Sequence, residues 1–79
     1  MTVVHSGDLV YLDSFAGLIP AKLLAVSPYR QYGRCRVTAN RRAYSRGEVV
    51  TFRLSGIVPR NHVYTRSGQC RIRGEWTFA

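Results

Sequence analysis

Seventy-nine residues carry twelve basic and four acidic side chains, a formal net charge of +8, and 46% of them are hydrophobic. A chain this short folds as one thin-cored domain over 1–79 and has no room for a second domain or a deep cleft. Apolar residues spread along its whole length argue against disorder, and the longest apolar-rich run, 18–26, holds Pro20 and Lys22 and falls short of the roughly 20 residues that a membrane-spanning helix needs.

The start, Met1-Thr2-Val3-Val4-His5, has neither the basic head nor the apolar stretch of a secretory leader. A soluble protein kept in the cytoplasm is therefore expected. In that setting Cys35 and Cys70 read as core thiols rather than as a bridge. Neither cysteine forms a close ligand pair with the other or with His5 or His62, so no metal and no other cofactor is expected.

In chain order, Gly7-Asp8 opens a β-prone run over 9–12. A turn follows at 13–17. The segment 21–26 is ambiguous. Pro20 suits the first position of a helix and Ala-Lys-Leu-Leu-Ala favours one, but so short a helix is marginal, which favours a strand. A loop over 29–33 leads into 34–39, where Cys35, Val37 and Ala39 alternate with Arg34, Arg36 and Thr38, the period of a half-buried strand. A basic connector spans 40–47. In 48–54, Val50, Phe52 and Leu54 share one face and Val49, Thr51 and Arg53 the other. After Ser55-Gly56 comes a short extended piece, 57–63, with a single helical turn. A hairpin over 63–73 has its tip at 66–69, with Cys70 and Ile72 on one face and Arg71 and Arg73 on the other. Trp76 and Phe78 alternate with Glu75 and Thr77, and at least one of the two is a core residue. Short strands joined by Gly-rich turns predict an all-β domain: a small barrel or a tightly bent sheet of five to six strands.

Three stretches carry a resemblance. Gly56-Ile57-Val58-Pro59-Arg60-Asn61-His62-Val63 resembles the G-x-x-P-x-N-Y-V segment of Src-homology-3 domains, in which a strand end runs into one 3-10 turn. Tyr44-Ser45-Arg46-Gly47-Glu48-Val49-Val50 is similar to that family's aromatic-x-x-G-D/E-hydrophobic strand start. Gly7-Asp8-Leu9-Val10 resembles the opening of KOW- and Tudor-type barrels. The resemblance implies an SH3-like barrel with a short 3-10 turn near 59–62. His62 stands where the family has tyrosine, the only tryptophan is Trp76, and of the peptide-groove residues only Pro59 carries over. The resemblance therefore speaks for the fold and against recognition of proline-rich peptides.

Eleven of the twelve basic residues are arginine, whose planar fork grips phosphate or carboxylate through two parallel hydrogen bonds. The alternation puts Arg34 and Arg36 on the solvent side of one strand, Arg53 on another and Arg71 and Arg73 on a third. Neighbouring strands would gather them into one patch. Arg41, Arg42 and Arg46 form a second cluster around Tyr44, which reads better as a packed ring. Tyr29, Arg30 and Tyr32 form a third. Exposed aromatics among arginines suit nucleic acid: cations track phosphates and rings stack on bases.

Catalysis is not expected. The four acids and two histidines are scattered, and a Cys35–His62 or Cys70–His62 pair would need thiols that the pattern places in the core, where they are inert. The expectation is a non-enzymatic module that binds the phosphate backbone of DNA or RNA. The alternative is a protein-interaction module: an adaptor, an inhibitor with an acidic protein surface as partner, or a small, possibly oligomeric, subunit of an assembly such as a phage virion.

Overall fold

The computed structural model describes residues 2–27, 29, 31–66 and 69–79. The described chain is all β, with no α-helix, and two 3-10 turns punctuate the strands. A five-stranded antiparallel sheet holds β2 (Leu9–Ser14), β3 (Gly17–Ser27), β4 (Tyr32–Val37), β5 (Val49–Arg53) and β6 (Ile57–Pro59), in the order β5-β4-β3-β2-β6. Two small sheets flank it. One pairs β1 (Thr2–Val4) in parallel with β9 (Trp76–Phe78), and the other pairs β7 (Val63–Arg66) with β8 (Gln69–Ile72).

The ambiguous segment resolves as strand. It is part of β3, which runs eleven residues straight through Pro20. Proline is tolerated there because β4 pairs with β3 only from Ala21 onward, so the missing N–H faces no ladder partner. The Pro20 carbonyl still accepts from the Thr38 N–H at 3.0 Å. The register slips between Leu23 and Ala25. Such a bulge bends a strand and increases its twist. The turn between β2 and β3 is tighter than expected, because Ser14 already pairs with Gly17, whose φ of +95° suits a residue without a Cβ.

Alternation then sorts the side chains. Val10 and Leu12 of β2, Ile19, Ala21 and Leu23 of β3, and Cys35 and Val37 of β4 are buried, while Leu9, Lys22, Arg34 and Arg36 face out. Ile57 of β6 shows that this sheet is not flat. Three strand spacings separate β6 from β4, roughly 14 Å across a flat sheet. Yet a Cβ built on Gly33 of β4 would lie 2.6 Å from the Ile57 Cδ1, 3.2 Å from Leu23 and 3.4 Å from Leu54. The sheet curls so far that its far strand packs against its fourth, and Gly33 leaves the space that this needs.

The 3-10 turn expected near 59–62 lies at Arg60–His62, directly after β6. A second, Leu54–Gly56, was not expected. It joins β5 to β6 and buries Leu54, whose N–H donates to the Gln31 carbonyl at 2.9 Å. Two further expectations need correction. The amino-terminal residues, read only as lacking a leader, form β1. Cys70, placed in the core by alternation, is exposed, because no described residue covers it on the β7–β8 hairpin. Trp76 and Phe78 both pack against the core.

Gly33→Ala is expected to destabilise the fold by about 1–3 kcal/mol, since Ile57, Leu23 and Leu54 are buried and have nowhere to move. Ile57→Val alone should cost roughly 0.5–1.5 kcal/mol. The double variant should be more stable than the sum of the two losses, because the added methyl occupies the vacated space. Denaturant titration of the four proteins measures this coupling.

Candidate functional site

Five side chains project from the outer face of neighbouring strands. Pairing places Lys22 of β3 directly opposite Arg36 of β4, Arg34 of β4 opposite Thr51 of β5, and Tyr32 of β4 opposite Arg53 of β5. Lys22, Tyr32, Arg34, Arg36 and Arg53 are all exposed. Directly opposite residues have Cβ atoms about 4.5–5.5 Å apart, so like charges there repel. Among the described residues no guanidinium or ammonium is ion-paired with a carboxylate; the ion pair found there is His5 with Asp8 at 3.9 Å. The result is a wall of unneutralised cations on a rigid sheet.

The basic connector follows the end of β4. The Gly47 N–H donates to the Val37 carbonyl and the Val37 N–H to the Glu48 carbonyl, both at 2.8 Å, which ties the base of the loop to β4. Within the loop, Arg41 and Tyr44 exchange backbone hydrogen bonds, and Asn40 Oδ1 accepts from the Arg46 N–H at 2.9 Å. Arg41, Arg42 and Arg46 remain exposed. Tyr44 packs inward, its ring tilted against Phe52 at 6.3 Å between centroids. Tyr29, in the β3–β4 turn, is fully exposed; Arg30 lies outside the described residues.

Arg71 and Arg73 do not join the wall through the sheet. Arg71 sits on β8 opposite Tyr64, and β8 pairs with β7 rather than with β4 or β5. Arg73 follows β8, where its N–H donates to the His62 carbonyl at 2.9 Å. Both are exposed. Lys22, which the charge pattern did not single out, takes a place on the wall instead; its position opposite Arg36 follows from a register that the sequence does not display.

His62 fastens separate elements together. Its Nε2 lies 2.7 Å from the Thr2 hydroxyl and its Nδ1 2.6 Å from the Arg73 carbonyl oxygen. The carbonyl can only accept, so Nδ1 carries the proton that it donates there. The ring also meets Trp76 edge-on at 5.4 Å, and Trp76 Nε1–H donates to the Ile57 carbonyl at 2.9 Å. Gly74, at φ +91°, passes so close that a Cβ would sit 2.7 Å from His62 Nδ1. With both ring nitrogens engaged, His62 pairs with neither cysteine. Arg60 is likewise structural: its Nε–H donates to the Val10 carbonyl at 3.3 Å, and its guanidinium lies 5.0 Å from the centre of the Tyr11 ring.

Comparison with known protein families, with curated proteins and with solved structures finds no match to this chain. Among the described residues no helix is long and apolar enough to cross a membrane, and no three His, Cys, Asp or Glu side chains gather as a metal site.

Burial pushes the Cys35 thiol up to about 11, since a thiolate would lose its hydration there. This contribution favours the fold below the ordinary thiol range near 9.0 and fades as pH rises towards 11. A native sample at neutral pH should therefore titrate one thiol, Cys70, with an aromatic disulfide reagent, and the second only in denaturant. Rapid native reaction of both thiols would contradict the placement of Cys35.

Proposed function

We propose that the chain is a non-enzymatic binding module whose basic sheet face contacts the phosphate backbone of nucleic acid. The observation that carries this reading is Lys22 held opposite Arg36, with Arg34 and Arg53 beside them and no described carboxylate within pairing distance. Like charges in cross-strand register cost stability in the free protein. A polyanion reverses the sign of that term and releases its own counterions on binding. Guanidinium forks at fixed positions suit phosphate oxygens better than lysine stems would. Arg41, Arg42 and Arg46 extend the track, and Arg71 and Arg73 lie on a separate ribbon available to the same ligand. Contacts to phosphate alone carry little sequence preference.

The same proposal includes the finer form of the fold, an SH3-like barrel. Its support is the strand order β5-β4-β3-β2-β6, the curl that brings Ile57 onto Gly33, and the strand-to-3-10 passage at Pro59. A cytoplasmic setting accords with two free cysteines.

One observation favours the second reading, a protein-interaction module. The β7–β8 hairpin leaves Tyr64 54% and Ile72 39% exposed. A two-stranded ribbon open on both faces is marginal in water, and a protein partner or a second copy would cover it.

Binding to a DNA duplex should weaken with salt at a slope of about −0.9 per neutralised phosphate, so four wall cations give about −3.6 in log affinity against log salt. The double variant Arg34→Gln/Arg36→Gln should flatten the slope by about 1.8. Fluorescence anisotropy across a salt series measures both, and a flat response in the unmodified chain would sink the reading. Light scattering without nucleic acid separates the second reading: a multimer that Ile72→Asp converts to single chains would favour it.

A further inference from the structure

We propose that the Tyr32 end of the wall seats an unpaired base, so that the chain prefers single-stranded to duplex nucleic acid; this rests on the phosphate-binding reading above. Several aromatic rings are already engaged. Tyr11 lies under Arg60, Tyr44 against Phe52, and Trp76 against His62, while Phe52, Phe78 and Trp76 pack on the core. Tyr32 is different. It is 40% exposed on the cation face, and among the described residues its ring has neither an aromatic nor a cationic partner.

Its neighbours complete the chemistry. Arg34 lies two residues along the same face, about 6.6 Å away along the strand. Arg53 lies directly across on β5. Beside Tyr32 the sheet surface sinks into an open depression lined by Ala25, Val26, Ser27, Arg34 and Thr51, next to the register slip in β3. That lining holds a cation, hydroxyls and apolar surface, and no acid. On the other side of Tyr32, a second depression includes Arg53 and also Asp13. Asp13 repels phosphate, so the backbone is drawn to the Arg34 side.

Charge alone does not select an unpaired strand, since a duplex offers phosphates at least as densely as a single strand. A half-exposed ring is not. The faces of paired bases are covered by their neighbours in the stack, and only an unpaired base has a face to lay on a tyrosine. Tyr32 therefore supplies the discrimination and the arginines the charge. The shared ligand chemistry is a base with its flanking phosphate, on either a deoxyribose or a ribose strand.

The test measures binding of labelled oligo-dT and oligo-rU of about a dozen nucleotides, an abasic DNA strand of the same length and a duplex, all at one salt concentration. Tyr32→Ala should weaken binding to oligo-dT or oligo-rU about five-fold or more, and binding to the abasic strand and the duplex by less than about two-fold. Tyr32→Phe, which keeps the ring, should retain the affinity, and Tyr32→Leu, which keeps apolar bulk without it, should not; thermal melts of the three verify that each is folded. Arg34→Gln should weaken all four ligands alike. If oligo-dT binds no better than the abasic strand, or Tyr32→Ala leaves both oligo-dT and oligo-rU unchanged, the base seat is wrong while the phosphate reading stands. If the unmodified chain binds none of the four, both fall.

Discussion

Everything on the outer face depends on a missing side chain on the inner one. Gly33 lets Ile57 of β6 approach β4 as closely as it does, and that approach is possible only in a sheet curled on itself. The curl makes one face concave and the other convex. The concave face takes Leu12, Ile19, Leu23 and Val37, the bulky residues a thin core requires. Each such side chain contributes roughly 1.5–3 kcal/mol when fully buried. The strict alternation that puts them inside puts Lys22, Arg34 and Arg36 outside. On a convex surface side chains diverge towards their tips, which tempers a repulsion that a flat sheet would present in full.

The sizes of these effects decide why so charged a face is tolerated. A cross-strand like-charge pair costs a few tenths to about 1 kcal/mol, and salt screens exposed charges over about 8 Å. The buried side chains outweigh that several-fold. The wall is thus a modest load on the fold, and it turns favourable when an anion arrives. No comparable gain is available from the chain's own acids: Asp8 is engaged with His5, and Asp13, Glu48 and Glu75 are ion-paired with no described cation.

Two of the three strands that build the wall, β4 and β5, were the most legible part of the sequence, whereas the β3 segment carrying Lys22 was ambiguous. Cys35 and Val37 against Arg34 and Arg36, and Val50 and Phe52 against Thr51 and Arg53, show period two without interruption, and the chain buries Cys35 and Val37 and half-buries Val50 and Phe52. The same rule misplaced Cys70, for a physical reason. Alternation says that a strand has two faces; it does not say that anything covers either one, and among the described residues β7 and β8 form a two-stranded sheet of their own that leaves Cys70 exposed. Other features were out of reach because they are non-local. The pairing of Thr2–Val4 with Trp76–Phe78 joins the two ends of the chain. The place of Lys22 opposite Arg36 depends on a register fixed beyond the bulge. His62 looked like a departure from a tyrosine motif, and its role becomes visible only when Thr2 and Arg73 meet it.

That junction also separates the two sources of positive charge. The wall residues stand on strands hydrogen-bonded on both sides or seated over the core, so their backbones are fixed before any ligand arrives. The hairpin bearing Arg71 is held at its base, where His62 ties the Arg73 carbonyl to Thr2 and Trp76 packs against the imidazole. Side chains on a fixed strand have only their own conformational freedom to lose when a ligand arrives. For the phosphate backbone proposed above as ligand, the wall would offer its charge at little ordering cost, and the exposed ring of Tyr32, on the same strand as Arg34, is where that proposal puts the discrimination between one form of the backbone and another.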